Sequence, residues 1–168
     1  KSLLDLTAFA MAQQDVRYFL NGMLLEESEG QLRSVATDGH RLALNQVALS
    51  AQRVDGIGQV IVPRKGVIEM QRLLSDSSDE VEVSVSNSHL CLSSGPFVLT
   101  TKLVDGRFPD YQRVIPRDGD KVILADKMEF KRALNRTSIL SNEKFRGVRI
   151  QFKSGLIEIS TNNPEQED

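Results

Sequence analysis

The sequence predicts an α+β fold, antiparallel strands joined by tight turns with three helices set among them. Short runs in which apolar and polar residues alternate strictly, turn residues between those runs, and three segments with helical apolar spacing all point to it. Of 168 residues, 40% are apolar and 26% charged, a balance that buries a core without covalent staples. The single cysteine, Cys91, excludes an internal disulfide framework and fits a reducing cytoplasm. No apolar run approaches a membrane span, and Lys1-Ser2-Leu3-Leu4-Asp5 lacks the layout of a signal peptide. No methionine opens the chain, so the expectation is that it begins inside a longer protein or after disordered residues. The net charge of −2 speaks weakly against nucleic acid unless opposite charges are segregated onto different faces.

The first helix is expected over residues 1–11. A polar loop over 13–19 sets Gln13, Gln14, Asp15 and Arg17 beside Tyr18 and Phe19, and an aromatic lid over the core and a base-stacking surface are both open readings. Residues 22–26 and 31–37 alternate around Glu27-Ser28-Glu29-Gly30, a hairpin pattern. Residues 41–49 and 59–62 also read as extended. Pro63 suits a first helical turn. Val67, Met70 and Leu74 then share a stripe, with Arg64, Lys65 and Arg72 on another face, while Gly66 counts slightly against this helix. Over 80–86, Val81, Val83 and Val85 alternate with Glu80, Glu82 and Ser84, a half-buried strand. Leu90 and Leu92 alternate with His89 and Cys91, and Ser94-Gly95-Pro96 turns the chain into a strand over 97–104. The third helix opens on Asp126 as N-cap with Glu129 at capping-box spacing. Its apolar stripe is Phe130, Ala133, Leu134 and Thr137, opposite Lys131, Arg132 and Arg136.

Two helices of an acidic chain thus carry basic faces, which fits either ordinary solvation or a phosphate-facing surface. A repeat also emerges. Gly22, Gly30 and Thr37 recur as Gly147, Gly155 and Asn162, each 125 residues on, within helix–loop–strand–turn–strand patterns. The boundary between the copies falls near the proline- and glycine-bearing stretch over 114–120.

The sequence carries few marks of catalytic chemistry. Asp38, His40 and, at a distance, His89 are what a metal-dependent phosphoesterase could use, but Asp38-Gly39 also makes an ordinary tight turn. There is no HExxH, CxxC, P-loop, GxGxxG or nucleophile elbow, so no catalytic residue, metal ligand or cofactor is assigned.

Several stretches together resemble the bacterial DNA sliding clamps, the beta subunits of replicative polymerases. They are residues 15–22 (DVRYFLNG), 36–42 (ATDGHRL), 60–66 (VIVPRKG), 102–111 (KLVDGRFPDY), 139–147 (ILSNEKFRG) and 162–167 (NNPEQE), in the family's order. The resemblance implies a clamp fold, three similar domains per chain, and two chains closing into a ring with sheets outside and helices lining the hole. Residues 1–116 then correspond to the middle domain without its first strand, and 117–168 to the N-terminal half of the third. It implies no enzymatic activity, a bacterial cytoplasmic location, and no membrane partner. Implied partners are duplex DNA without regard to sequence, and DNA polymerases, the clamp loader and repair proteins that carry clamp-binding peptides. The peptide groove maps onto Leu20, Thr37, Gly39, His40, Arg41, Leu42, Pro109, Arg113 and Val114, and in the family it is completed from the extreme C-terminus. Leu20, Leu42, Pro109 and Val114 suit an apolar floor, Thr37, His40 and Arg41 suit hydrogen bonds to the peptide, and Gly39 leaves room for its backbone. Gln14, Arg17, Tyr18, Phe19, Arg64 and Lys65 map onto DNA-facing positions, with Phe19 where relatives often carry tyrosine. Lys131, Arg132 and Arg136 join them by helix geometry alone. Ile139 and Leu140 map onto the ring-closing interface. A chain of this extent is expected not to close a normal ring, and its simplest behaviour is that of a peptide-binding module.

Overall fold

The computed structural model describes residues 1–49, 57–74, 80–141 and 147–162. Parts of two stretches quoted above, 142–146 and 163–167, lie outside the described residues. The elements run α1 (Ser2–Asp5), β1 (Gly22–Ser28), β2 (Gln31–Thr37), β3 (Leu42–Ala48), β4 (Gln59–Pro63), α2 (Arg64–Leu73), β5 (Glu82–Val85), β6 (His89–Ser94), β7 (Phe97–Lys102), α3 (Lys127–Ile139), β8 (Arg149–Lys153) and β9 (Leu156–Ser160). The chain forms two compact units, Lys1–Ile115 and Pro116–Asp168. No helix among the described residues is long and apolar enough to cross a membrane.

The first unit holds two antiparallel sheets, ordered β3-β2-β1-β4 and β5-β6-β7. Side chains alternate across a strand, so the register decides which residues share a face. Met23 and Leu25 of β1, Ala36 of β2, Ala43 of β3 and Val62 of β4 sit on one face of the larger sheet. They join Val67, Met70 and Leu74 from the α2 region and Leu90 and Leu92 of β6 in one buried cluster. Full burial of such aliphatic side chains stabilises the fold by about 1.5–3 kcal/mol each. The opposite face carries Leu24, Val35 and Ile61, buried in a second cluster with Phe108 and Tyr111.

The first helix is shorter than expected. It stops at Asp5, and a 3₁₀ turn at Ala8–Ala10 replaces its second half. The cause lies in hydroxyl groups. Thr7 Oγ1 donates to Leu3 O (2.9 Å), and Ser34 Oγ, from β2, donates to the same carbonyl (2.7 Å). The Thr7 amide turns instead to Leu4 O (3.2 Å), and the ladder tightens out of α geometry. In α2, Gly66 is the means of close packing: a Cβ there would lie 2.6 Å from Thr101 Oγ1 and 3.2 Å from Val62 Cγ1.

The first hairpin turns more tightly than the sequence suggests. Glu27 and Ser28 stay in β1, and Glu29 (φ 55°) with Gly30 (φ 73°) makes the turn. Two consecutive positive φ values match the right-handed twist of a hairpin. The second unit also turns between two antiparallel strands, β8 and β9, but with a positive φ at Gly155 (69°) and none at Ser154. Shifted by 125 residues, β8 overlies Leu24–Ser28 and the start of β9 overlies the start of β2. The repeat in the sequence is therefore a repeated hairpin. In α3, Asp126 Oδ1 accepts from the amides of Met128 (2.9 Å) and Glu129 (2.8 Å). Glu129 turns its carboxylate to Arg132 (2.8 Å), not back to the cap. The stripe of Phe130, Ala133, Leu134 and Thr137 is half-buried, while Lys131, Arg132 and Arg136 are exposed.

Candidate functional site

The second face of the four-stranded sheet is built in rows. Register places Gln46, Arg33, Glu26 and Gln59 side by side across β3, β2, β1 and β4, and Leu44, Val35, Leu24 and Ile61 form the next row. The chain after β7 crosses these rows. Val104 donates its amide to Ile61 O (2.9 Å), and Phe108 and Tyr111 bury their rings on Leu24, Val35 and Ile61. Phe19 and Leu42 pack against the same cluster. This packing gathers, through their chain neighbours, the groove residues expected from the sequence. Leu20 adjoins Phe19 and is buried, Leu42 begins β3 opposite Thr37, and Pro109 lies between the two ring anchors. Arg113 and Val114 follow on a 3₁₀ turn closed by Val114 N to Tyr111 O (3.1 Å) and an Arg113–Asp110 ion pair (2.9 Å). Val114 is 67% exposed, an apolar side chain offered to solvent.

The turn between β2 and β3 is held by its own polar atoms. Asp38 Oδ1 accepts from the amides of His40 (2.9 Å) and Arg41 (3.0 Å), and Oδ2 accepts from Arg41 Nε (3.0 Å). Burial pushes the Asp38 carboxyl up, but these bonds outweigh it and hold the group below the usual carboxylate range. Thr37 Oγ1 donates to Arg41 O (2.7 Å) and accepts from the Gly39 amide (3.0 Å). Arg41 also donates to Phe9 O (2.8 Å) and lies over the Phe9 ring at 5.5 Å. Thr37 and Arg41 therefore spend these groups on shaping the turn, whereas the His40 side chain is exposed on it. Gly39 (φ 89°) takes a left-handed conformation with Arg17 pressed against it.

Arg17 joins this turn to the polar loop before β1. It pairs with Asp15 (2.8 Å) and donates to Asp38 O (3.3 Å). Gln14 sits there with φ 57°, and Tyr18 is 57% exposed. Phe19 differs from Tyr18: its ring is half-buried on the second cluster and meets Tyr18 edge-on at 5.8 Å. On α2, Lys65 is exposed, and the half-buried Arg64 has an Nη1 atom shielded from solvent without a hydrogen-bond partner among the described residues. Ile139 and Leu140 are 78% and 61% exposed in the second unit.

Among the described residues, nothing assembles the alternative hydrolytic site. Both Asp38 oxygens serve the turn, His89 Nδ1 sits 2.8 Å from Ser88 Oγ on β6, and no cluster of three metal-ligating side chains occurs among the described residues. A large cavity of about 1020 Å³, lined by Leu3, Leu25, Met70 and Val83 among others, contains none of the expected groove residues. Sequence reasoning missed Phe108, Tyr111, Glu26 and Arg33 as builders of the site. A Glu29-Gly30 turn implies the Glu26–Arg33 pairing, but nothing local in the sequence brings Tyr111 to it.

Comparison with known proteins places these features in context. Residues 1–110 match the family described as DNA polymerase III beta subunit, central domain, and residues 112–168 the one described as its C-terminal domain. The chain is 54% identical over its whole length to the beta sliding clamp of Pseudomonas aeruginosa and 48% identical to that of Escherichia coli K12, covering 46% and 45% of those proteins. The crystal structure of the P. aeruginosa DNA polymerase III subunit beta superposes on 98% of the chain with a TM-score of 0.92 at 55% identity, over 45% of its own length. A P. aeruginosa clamp bound to griselimycin gives 0.91, over 44% of its length.

Proposed function

The chain belongs to the DNA polymerase III beta-subunit family, and from that premise we propose that it is part of a DNA sliding clamp, tethering replication and repair enzymes to duplex DNA through a peptide-binding groove and catalysing nothing itself. The observation that supports this reading is the packing of Phe19, Leu42, Phe108 and Tyr111 in one cluster, because the segments that carry these four also carry Leu20, the Thr37–Leu42 turn, Pro109, Arg113 and Val114. Leu42 and Val114 offer apolar contact, and His40 offers a hydrogen bond to a captured peptide. Gln14, Arg17, Tyr18, Arg64 and Lys65 face DNA and hold phosphates loosely enough to slide. Phe19 backs this surface from the cluster. Ile139 and Leu140 meet another chain when the ring closes. The first unit acts as the middle clamp domain and the second as the N-terminal half of the third.

The relatives are about twice as long, so encirclement is proposed of the whole protein. For this chain, the reading is a peptide-binding module. Titrating a labelled peptide of the Gln-Leu-x-Leu-Phe type tests it by fluorescence anisotropy. Saturable binding is expected, weakened roughly tenfold in both Leu20→Ala and His40→Ala. Binding that is indifferent to both substitutions overturns the groove, and absent binding by the folded chain overturns the reading of this chain as a peptide-binding module.

A further inference from the structure

We propose that Tyr111 is a positioning residue for the peptide groove, its hydroxyl latching the segment that carries Pro109, Arg113 and Val114 onto a polar row of the sheet. The inference rests on the groove reading above and adds to it a residue that touches no peptide.

The latch has three parts. The row across the sheet comes first. Glu26 and Arg33 face one another on β1 and β2, with Gln59 beside Glu26 and Gln46 beside Arg33. Gln59 Nε2 donates to Glu26 Oε1 (2.7 Å), and Arg33 Nε donates to Gln46 Oε1 (3.3 Å). The hydroxyl is the second part. Tyr111 Oη donates to Glu26 Oε2 (2.6 Å) and accepts from Arg33 Nη1 (2.9 Å), which also reaches that carboxylate at 3.4 Å. Hydrogen bonds to charged partners are the strong ones, and the Glu26 side chain is only 13% exposed. The third part is what hangs from the tyrosine. Its carbonyl closes the 3₁₀ turn onto the Val114 amide, and Pro109 sits between the buried rings of Phe108 and Tyr111.

Ring burial fixes how deep this segment sits, but apolar contact is non-directional and tolerates sliding along the sheet. The hydroxyl, held by one donor and one acceptor on adjacent strands, fixes its position along the rows. The three groove residues then keep their places relative to Thr37 and Leu42, which end and begin the strands beneath.

Tyr111→Phe removes the hydroxyl and keeps the ring. In the peptide titration, this variant, folded by circular dichroism, is expected to bind about fivefold more weakly. Its Val114 amide is expected to exchange hydrogen roughly tenfold faster, while amides of Leu24 and Val35 on the central strands keep their rates. Glu26→Gln should show the same affinity loss, and the double variant should lose no more than either single one, because both break one link. A lower melting temperature with affinity and Val114 exchange unchanged would mean a merely structural tyrosine and overturn the inference. If Leu20→Ala and His40→Ala weaken binding but Tyr111→Phe does not, the latch fails and the groove stands. If the unsubstituted chain binds no peptide, the reading of this chain as a peptide-binding module fails and this inference falls with it.

Discussion

At the scale of single residues, charge is spent on geometry. Asp15 accepts from the side chain of Arg17 at two nitrogens (3.0 and 2.8 Å) and from its amide (2.8 Å). The side-chain bonds, then the amide, bring its carboxyl down from 3.8 to about 2. A carboxyl depressed in the folded state contributes stability above its ordinary range and loses it as pH falls through the depressed value. Asp15 should therefore half-titrate near pH 2 in a carboxyl NMR titration, and Arg17→Gln should move it back toward 3.8. An unshifted Asp15 in the unsubstituted chain would mean that the ion pair does not persist in solution. In the same loop, Tyr18 and Phe19 read alike in the sequence as aromatics near a basic residue. Their different exposures follow from the Phe108–Tyr111 segment, remote in sequence, which gives Phe19 something to pack on.

At the scale of elements, local pattern and long-range contact decide different things. Strands were legible because alternation is a local signal, and α2 because Val67, Met70 and Leu74 repeat at helical spacing. The end of α1 was not, because Ser34 captures the Leu3 carbonyl from 31 residues away. Gly22 and Gly30 are alike in the repeat but do different work. A Cβ at Gly22 would lie 2.6 Å from Val62 O, a backbone atom fixed in the β1–β4 ladder. At Gly30 it would meet nothing within 4 Å among the described residues, and the positive φ is what resists substitution. Gly22→Ala should cost about 1–3 kcal/mol through overpacking, and Gly30→Ala about 1–2 kcal/mol through backbone strain. In urea unfolding, the Gly22 variant should shift the midpoint at least as far. The reverse order would mean that the β1–β4 pair relaxes easily.

At the scale of the whole molecule, the net charge of −2 is a poor guide to partners, since charges of each sign can be gathered on separate surfaces. Helical spacing made the basic face of α2 legible, but not the setting of Arg64, whose Nη1 is shielded and unpartnered among the described residues. A shielded guanidinium nitrogen without an acceptor costs free energy, which favours a swing of the Arg64 side chain outward to a water or a phosphate oxygen. If Arg64 and Lys65 each meet a phosphate, the chain should bind duplex DNA weakly, without sequence preference, and less tightly as salt rises. The slope of log affinity against log salt is then about −0.9 for every phosphate neutralised. Arg64→Gln with Lys65→Gln should flatten that slope by about 2, and peptide affinity should stay the same because neither residue belongs to the groove. A slope indifferent to the double substitution would move DNA contact away from α2. A loss of peptide binding alongside it would mean instead that α2 supports the groove, and that the two surfaces are not independent.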